Sequence, residues 1–494
     1  MNSNFFNTLS PRCACNSSGI PHKPTKNHNQ PVSFSERLTT ILAGPPTHRE
    51  SAQPKPNFII GSHTYEDIYD LAAGIGAAIS PLDSTVCLCT QNKGIFAAAL
   101  LASLSYGFTL VLPYAYSEQA LKEVFTRLNR DDIKTRTAII DRPMKLPQGV
   151  SAIHPLPRPH TAIPTTPAIL PDAEFCHFFT GGSTGKPKIW SKTPRNLFAE
   201  AFYLSQKFGI SASDRIVACV PPFHLYGFTF AVLLPLVSSA SVAADIYTYP
   251  EEIRTALADY NASVFIGAPM HYRVLRESAI ASESLRLAFS STGKLDKADG
   301  LRFQKHTGAD LVEIYGSTET GVIASRCRAM GDRAFKPLDV VDWKIHHQGL
   351  YVRSPFIAPG IEKSADGFFS MGDRVRLCSE DDPKAGFELI GRADGIVKVG
   401  GKRADLEEIR QKIKQTPDVE DAVVIAHPTG RGRENTISAL VQGDIDSIQL
   451  RKAISTLLEP YAIPRQIKTT SAIPMLPTGK YDRKAIEVLF FRSK

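Results

Sequence analysis

Apolar residues recur along this chain in two alternating rhythms. Tyr65, Ile68, Leu71, Ala72 and Ile75 follow the i, i+3, i+4, i+7 spacing of one helix face, and Thr64 before them is a side chain that caps helices. The short strand VCLCT follows, and then a long apolar run from Ile95 to Leu112. That run is long enough to raise the question of a membrane span. Ser103, Ser105 and Gly107 interrupt it, however, and Gly107 reads as a helix stop before a second short strand, FTLVLP. RIVACV and SVFIGA read as further buried strands, and Ala199 to Phe208 as another helix. Strand and helix alternating in this way predict a parallel sheet covered by helices.

Breaks in the pattern suggest the domain plan. Residues 1–55 are rich in Asn, Ser, Pro and His, with little periodicity beyond Phe34 to Leu42, so a poorly ordered N-terminal segment is expected. Seven prolines between Pro147 and Pro171 exclude helix and central strand and read as a connection between two subdomains. Beyond Gly391 the character changes. Leu406, Ile409 and Ile413 share a helix face, the strands AVVIA and ISALV follow, and a helix is expected near Leu450 to Leu458. The expected fold class is α/β: a large N-terminal domain of β/α subdomains over residues 56–393 and a small α+β C-terminal domain over 394–494. No internal repeat is visible. A chain of 494 residues is also longer than one core usually serves.

Composition narrows the function. The chain is 43% hydrophobic and 21% charged, as ordinary globular proteins are. Its net charge of +8 comes from dispersed basic residues, which suits anionic small molecules better than nucleic acid. None of the eight cysteines forms a C-x-x-C pair, and most lie in apolar surroundings, so a reduced cytoplasmic protein is expected; the interrupted run at Ile95 to Leu112 adds the expectation of no stable membrane insertion. Cys13 and Cys15 lie in the polar N-terminal segment.

The strongest chemical feature is Thr180-Gly181-Gly182-Ser183-Thr184-Gly185-Lys186-Pro187-Lys188, directly after FCHFF. The glycines let the backbone turn successive N–H groups toward an anion, and hydroxyls and lysines add donors and charge. A Walker A loop would need Ser or Thr after its Gly-Lys. Pro187 stands there instead.

The segment resembles the signature loop of the adenylate-forming superfamily, which includes acyl-CoA synthetases, nonribosomal-peptide adenylation domains and luciferases. Gly181 stands where that loop usually has Ser, and Ile189 where it has Gly. Four further segments agree in order. Tyr315-Gly316-Ser317-Thr318-Glu319 resembles the family's Y-G-x-T-E. Gly372-Asp373 resembles its T-G-D, and Gly391-Arg392-Ala393-Asp394 through Lys398 and Gly401 resembles its hinge motif. Gly479-Lys480-Tyr481-Asp482-Arg483 resembles its terminal lysine motif.

The resemblance implies the following roles. Thr180, Gly181, Gly182, Ser183, Thr184, Gly185 and Lys188 would hold ATP phosphates. Tyr315 and Gly316 would lie against adenine, Thr318 against phosphate, and Asp373 and Arg392 at the ribose. Glu319 would hold Mg²⁺, a hard cation suited to carboxylate oxygen. Lys480, Thr184 and Glu319 would be catalytic. Asp394 would be the pivot of a mobile small domain, with Lys398 and Gly401 in the hinge.

The implied reaction joins a small-molecule carboxylic acid to AMP and passes the acyl group to CoA or to the phosphopantetheine thiol of an acyl carrier protein. His224, Gly267 and Gly293 would line the acid pocket. No F-D-x-S-type Asp is present for an α-ammonium, which favours an aryl or fatty acid over an amino acid; the aromatic, compact pocket segments lean toward an aryl or short to medium acyl acid, with a fatty acid as the alternative. A nucleotide-binding protein of the same fold without catalysis would have lost Glu319, Arg392 or Lys480, and all three are present.

Overall fold

The computed structural model describes residues 33–44, 56–160, 163–180, 187–275, 284–328, 332–379, 382, 385–392, 395–399, 402–428, 435–476 and 479–491, without the side chains of 392, 396, 398, 402, 403, 428 and 491. By their internal contacts these fall into two compact units. One takes residues up to Ile323 together with Cys327–Met330 and Ser354–Ile361; the other takes Ala324–Arg326, Gly331–Arg353 and Glu362–Lys494. The expected boundary at Asp394 lies outside the described residues. Within the N-terminal segment, Phe34–Leu42 forms a helix with a capping box on Ser33 and Glu36, its Leu38 and Leu42 fully covered.

The first unit holds two sheets. In one, the strand order is Ser151–Ile153, Thr137–Ile140, Thr85–Cys89, Thr109–Leu112, Cys176–Thr180 and Lys188–Lys192. All neighbours there are parallel except the last pair, which is antiparallel. The strand Ser151–Ile153 falls inside the proline-rich connection. Pro147 and Pro155 bracket it, leaving the intervening backbone free to pair at the sheet edge.

The second sheet runs Gly321–Cys327, Asp310–Ser317, Leu287–Ser290, Val264–Gly267, Arg215–Ala218, Ser241–Val242, Asn57–Ile59 and His63–Thr64. Its inner strands Asp310–Ser317, Leu287–Ser290, Val264–Gly267 and Arg215–Ala218 are parallel and buried except at Arg215, Asp310 and the Tyr315–Ser317 end. This explains their unbroken apolar runs.

Local signals account for the helices. Thr64 and Asp67 form a reciprocal capping box at the head of Tyr65–Ala78, and Ile68, Ala72 and Ile75 line its buried face. The run that raised the membrane question is the helix Lys93–Tyr106, ended by Gly107 at φ +86° and followed by the strand Thr109–Leu112. Apolar residues surround this helix on all sides because it is covered on all sides. No helix among the described residues is long and apolar enough to cross a membrane. Phe228 joins the layers, with ring centroids 5.0 Å from Phe178 and 6.3 Å from Phe96.

The second unit is α+β. An antiparallel sheet of Asp342–His346, Gly349–Arg353, Phe369–Leu377 and Phe387–Arg392 precedes the hairpin Ile396–Val399/Lys402–Asp405. A three-stranded sheet of Val419–Pro428, Asn435–Gly443 and Gln466–Thr470 packs its core with Ile409 and Ile413 of the helix Leu406–Lys414 and with Leu450 and Ile454 of Ser447–Ile454. Of the cysteines, Cys87, Cys89, Cys176, Cys219 and Cys327 are buried and Cys378 is exposed; Cys13 and Cys15 lie outside the described residues.

Gly74 allows the helix Tyr65–Ala78 to lie against the proline-rich connection: a Cβ there would stand 1.7 Å from the Leu156 carbonyl oxygen. Alanine ordinarily stabilises a helix interior over glycine. Here Gly74→Ala should instead destabilise the fold by about 1–3 kcal/mol, the cost of overpacking, measured as a lower urea midpoint.

Candidate functional site

The two ends of the phosphate-type loop are held together by an antiparallel ladder. Cys176–Thr180 pairs with Lys188–Lys192, Thr180 opposite Lys188, and the Trp190 indole donates to the Thr180 hydroxyl over 3.1 Å. Lys188 is exposed. Gly181, Gly182, Ser183, Thr184 and Gly185, between these ends, lie outside the described residues.

Tyr315, Gly316, Thr318 and Glu319 occupy the end of the strand Asp310–Ser317 and the turn after it. Ser317 and Thr320 order that turn with reciprocal bonds: the Ser317 amide donates to the Thr320 hydroxyl (3.1 Å) and the Thr320 amide to the Ser317 hydroxyl (3.3 Å). Gly316 is required by a close approach, since a Cβ there would stand 2.1 Å from the Gly321 carbonyl oxygen. The Glu319 side chain is half-buried.

Beneath this turn lies a polar group that the sequence analysis missed. Lys192, the last residue of the strand Lys188–Lys192, is 1% exposed, and its ammonium donates to the carbonyls of Glu319 (3.1 Å) and Phe356 (2.7 Å). Glu200, on the helix Pro194–Phe208, is also 1% exposed and accepts from the Val322 amide. Asn196 of the same helix donates to Pro355 (2.7 Å) and Ile357 (3.2 Å). Burial pushes Lys192 down to about 8 and Glu200 up to about 7, while their mutual attraction opposes both shifts. A lysine after an apolar strand ordinarily reads as a solvated charge, so no local signal marks this pair.

The acid-pocket candidates also fall in the first unit. His224 is half-buried, N-terminal to the short helix Leu225–Phe228, its ring 4.5 Å from that of Phe223, which lies 4.7 Å from Tyr116. Gly267 ends the strand Val264–Gly267, and its carbonyl accepts from the Tyr226 hydroxyl over 3.1 Å. The next residue, Ala268, donates its amide to Nδ1 of His271 (2.9 Å), a buried side chain that burial pushes down to about 4. Gly293 is exposed and follows Thr292, whose φ of +74° is strained for a β-branched residue.

Asp373 and Arg392 are register partners on adjacent strands of the second unit. Next to Asp373, Arg374 donates to Asp405 (2.6 Å), whose other carboxylate oxygen caps the helix Leu406–Lys414. Lys398 lies in the strand Ile396–Val399; Asp394 and Gly401 lie outside the described residues. Lys480 is exposed beside a turn in which Gly479 takes φ +76°. Its neighbour Tyr481 anchors that turn by donating to Asp421 (2.7 Å) and accepting from Arg410 (2.8 Å).

Comparison with known proteins places these features in context. A family model described as AMP-binding enzyme matches residues 49–355. Sulfoacetate–CoA ligase of Cupriavidus necator is 24% identical over 456 residues, covering 83% of this chain and 88% of that protein. Surfactin synthase subunit 2 of Bacillus subtilis is 27% identical over 351 residues, 62% of this chain; the match spans only 10% of that much longer protein. Among solved structures, ATP-bound MatB from Rhodopseudomonas palustris superposes with a TM-score of 0.76 at 19% identity, covering 92% of this chain and 98% of that one. The anthranilate CoA ligase AuaEII in complex with anthranoyl-AMP gives 0.72 at 18% identity, with 93% and 98% covered. These two likenesses establish the shared two-domain fold.

The buried His271 gives a pH prediction. Its folded form favours the neutral ring, so its contribution to stability is full above about 6.5 and is lost as pH falls toward about 4. The unfolding free energy should drop across that window with a slope of up to about 1.4 kcal/mol per pH unit from this group. Urea titrations of wild type and His271→Asn should differ in slope within that window and run parallel above it.

Proposed function

The chain belongs to the AMP-binding enzyme family, and from that premise we propose that it is an ATP-dependent acid–thiol ligase. It activates an aryl or short to medium acyl carboxylic acid as an acyl-AMP, releases pyrophosphate, and transfers the acyl group to CoA or a carrier-protein phosphopantetheine. One observation carries the reading. The strand that leaves the phosphate-type loop is tied through Lys192 to the main chain of Glu319, so the strand at the loop's exit and the candidate metal ligand are joined directly.

A bound magnesium ion suits these residues. Glu319 is a half-buried carboxylate, and among the described residues no donor hydrogen-bonds to its side chain. No group of three or more His, Cys, Asp or Glu that could cage a metal occurs among the described residues. One carboxylate acting together with substrate phosphates is a common way to hold magnesium. When bound, the ion neutralises phosphate charge.

The chain's own residues do the rest. Attack of a carboxylate on the α-phosphorus brings two anions together, so the barrier falls by charge neutralisation and in-line positioning. Thr180, Ser183, Thr184 and Lys188 hold the phosphates, with the amides of Gly181, Gly182 and Gly185. Tyr315 lies along the adenine, and Asp373 and Arg392 take the ribose. Lys480 contacts the α-phosphate and the substrate carboxylate. The acid lies between His224, Gly267 and Gly293, and the aromatic rings of Phe223 and Tyr116 behind His224 favour a compact or aryl acid. Rotation about Asp394, with Lys398 and Gly401 moving, withdraws Lys480 and admits the thiol, which attacks the acyl carbonyl and releases AMP.

This division of labour predicts a separation of half-reactions. Lys480→Ala should slow adenylate formation on the order of 10²–10³-fold, as loss of one transition-state donor does, while thioester formation from supplied acyl-AMP stays within a few-fold of wild type. Equal losses in both would contradict the assignment. Acid-dependent pyrophosphate release across aryl, short-chain and long-chain acids, with CoA and a phosphopantetheinylated carrier protein as acceptors, identifies the substrates. Release with none of these acids would overturn the proposal.

A further inference from the structure

We infer that Lys192, with Asn196 and Glu200, forms a positioning device that sets the Glu319 carboxylate for Mg²⁺·ATP. The inference rests on the proposed function through the metal-binding role of Glu319.

The geometry is that of a clamp. The Glu319 carbonyl accepts from Lys192 Nζ (3.1 Å) and from the Ala358 amide (2.8 Å). Three residues on, the Val322 amide donates to Glu200. Both ends of the Glu319–Val322 stretch are thus gripped from a single strand–helix unit, Lys188–Lys192 and Pro194–Phe208. That unit also holds the segment supplying Ala358, since Lys192 bonds Phe356 and Asn196 bonds Pro355 and Ile357. Thr193 caps the helix, and its own amide donates in return to Asn196 Oδ1 (3.2 Å), which aims the Asn196 side-chain NH₂ at those carbonyls. The same strand begins at Lys188, the exit of the phosphate-type loop.

A stabilising role alone does not account for this arrangement. Two opposite charges almost fully buried lose hydration, and well-packed apolar replacements of such pairs are often neutral or stabilising. What apolar side chains cannot do is fix two main-chain carbonyls and one amide in register. A displacement of the Glu319 peptide moves its carboxylate relative to the loop that holds the phosphates.

The test compares wild type with Lys192→Met/Glu200→Gln, which removes the charges together, and with Lys192→Arg, which keeps charge and donors. ATP binding is measured by calorimetry over a Mg²⁺ titration, alongside melting temperature. In the double variant the Mg²⁺ needed for half-maximal ATP binding should rise roughly five-fold or more, the weight of one lost hydrogen bond, with ATP binding in the absence of Mg²⁺ little changed. Lys192→Arg should restore most of the wild-type dependence. A folded double variant with wild-type Mg²⁺ dependence overturns the inference, as does a double variant that does not fold, which would make the pair a core element only. A wild type that binds Mg²⁺·ATP but releases no pyrophosphate with any acid overturns the functional reading instead, and leaves the calorimetric comparison to decide this one.

Discussion

A buried ammonium must find acceptors, and Lys192 finds them on main-chain carbonyls from two distant parts of the chain, 127 and 164 residues away. That requirement organises the first unit. It fixes the strand leaving the phosphate-type loop, the helix after it, the Glu319 turn and the Pro355–Ala358 segment as one piece. Glu200 supplies the opposite charge and takes the Val322 amide. The site then stands on regular elements, which hold geometry better than free loops do.

The second unit solves a related problem differently. Lys480 sits exposed at a turn with a left-handed glycine, and a flexible lysine there would be poorly directed. Tyr481 restrains it from the next position by joining Arg410 and Asp421, and Asp421 is 1% exposed. Burial works against the Arg410 charge, but the neighbouring Tyr481, Asp421 and Glu407 outweigh it and keep the guanidinium protonated under all ordinary conditions. Arg374 similarly ties the strand of Asp373 to Asp405 at the head of the helix Leu406–Lys414. In both units the residues expected to meet ATP are flanked by charged side chains that hold neighbouring parts of the chain.

Much of the fold was legible because its signals are local. Thr64 and Asp67 cap their helix within four residues, Gly107 ends another, and the unbroken apolar runs mark parallel strands. The strand Ser151–Ile153 was hidden by the prolines around it, since edge pairing depends on a partner, Thr137–Ile140, that the segment itself does not reveal. The candidate motif residues were picked out through order and spacing. Lys192, Asn196 and Glu200 were not: each has an ordinary surface reading, and only long-range contacts bury it. Tyr226 and His271 were missed for the same reason, because their partners Gly267 and Ala268 are main-chain groups.

The central claim is that the acid's carboxylate attacks the α-phosphorus of ATP, and atom transfer tests it directly. An accepted acid labelled with heavy oxygen in both carboxylate positions is turned over with ATP and the thiol, and the nucleotide product is weighed by mass spectrometry. The account predicts AMP carrying one heavy oxygen atom, with unlabelled pyrophosphate. Unlabelled AMP, or label in inorganic phosphate beside ADP, would contradict it.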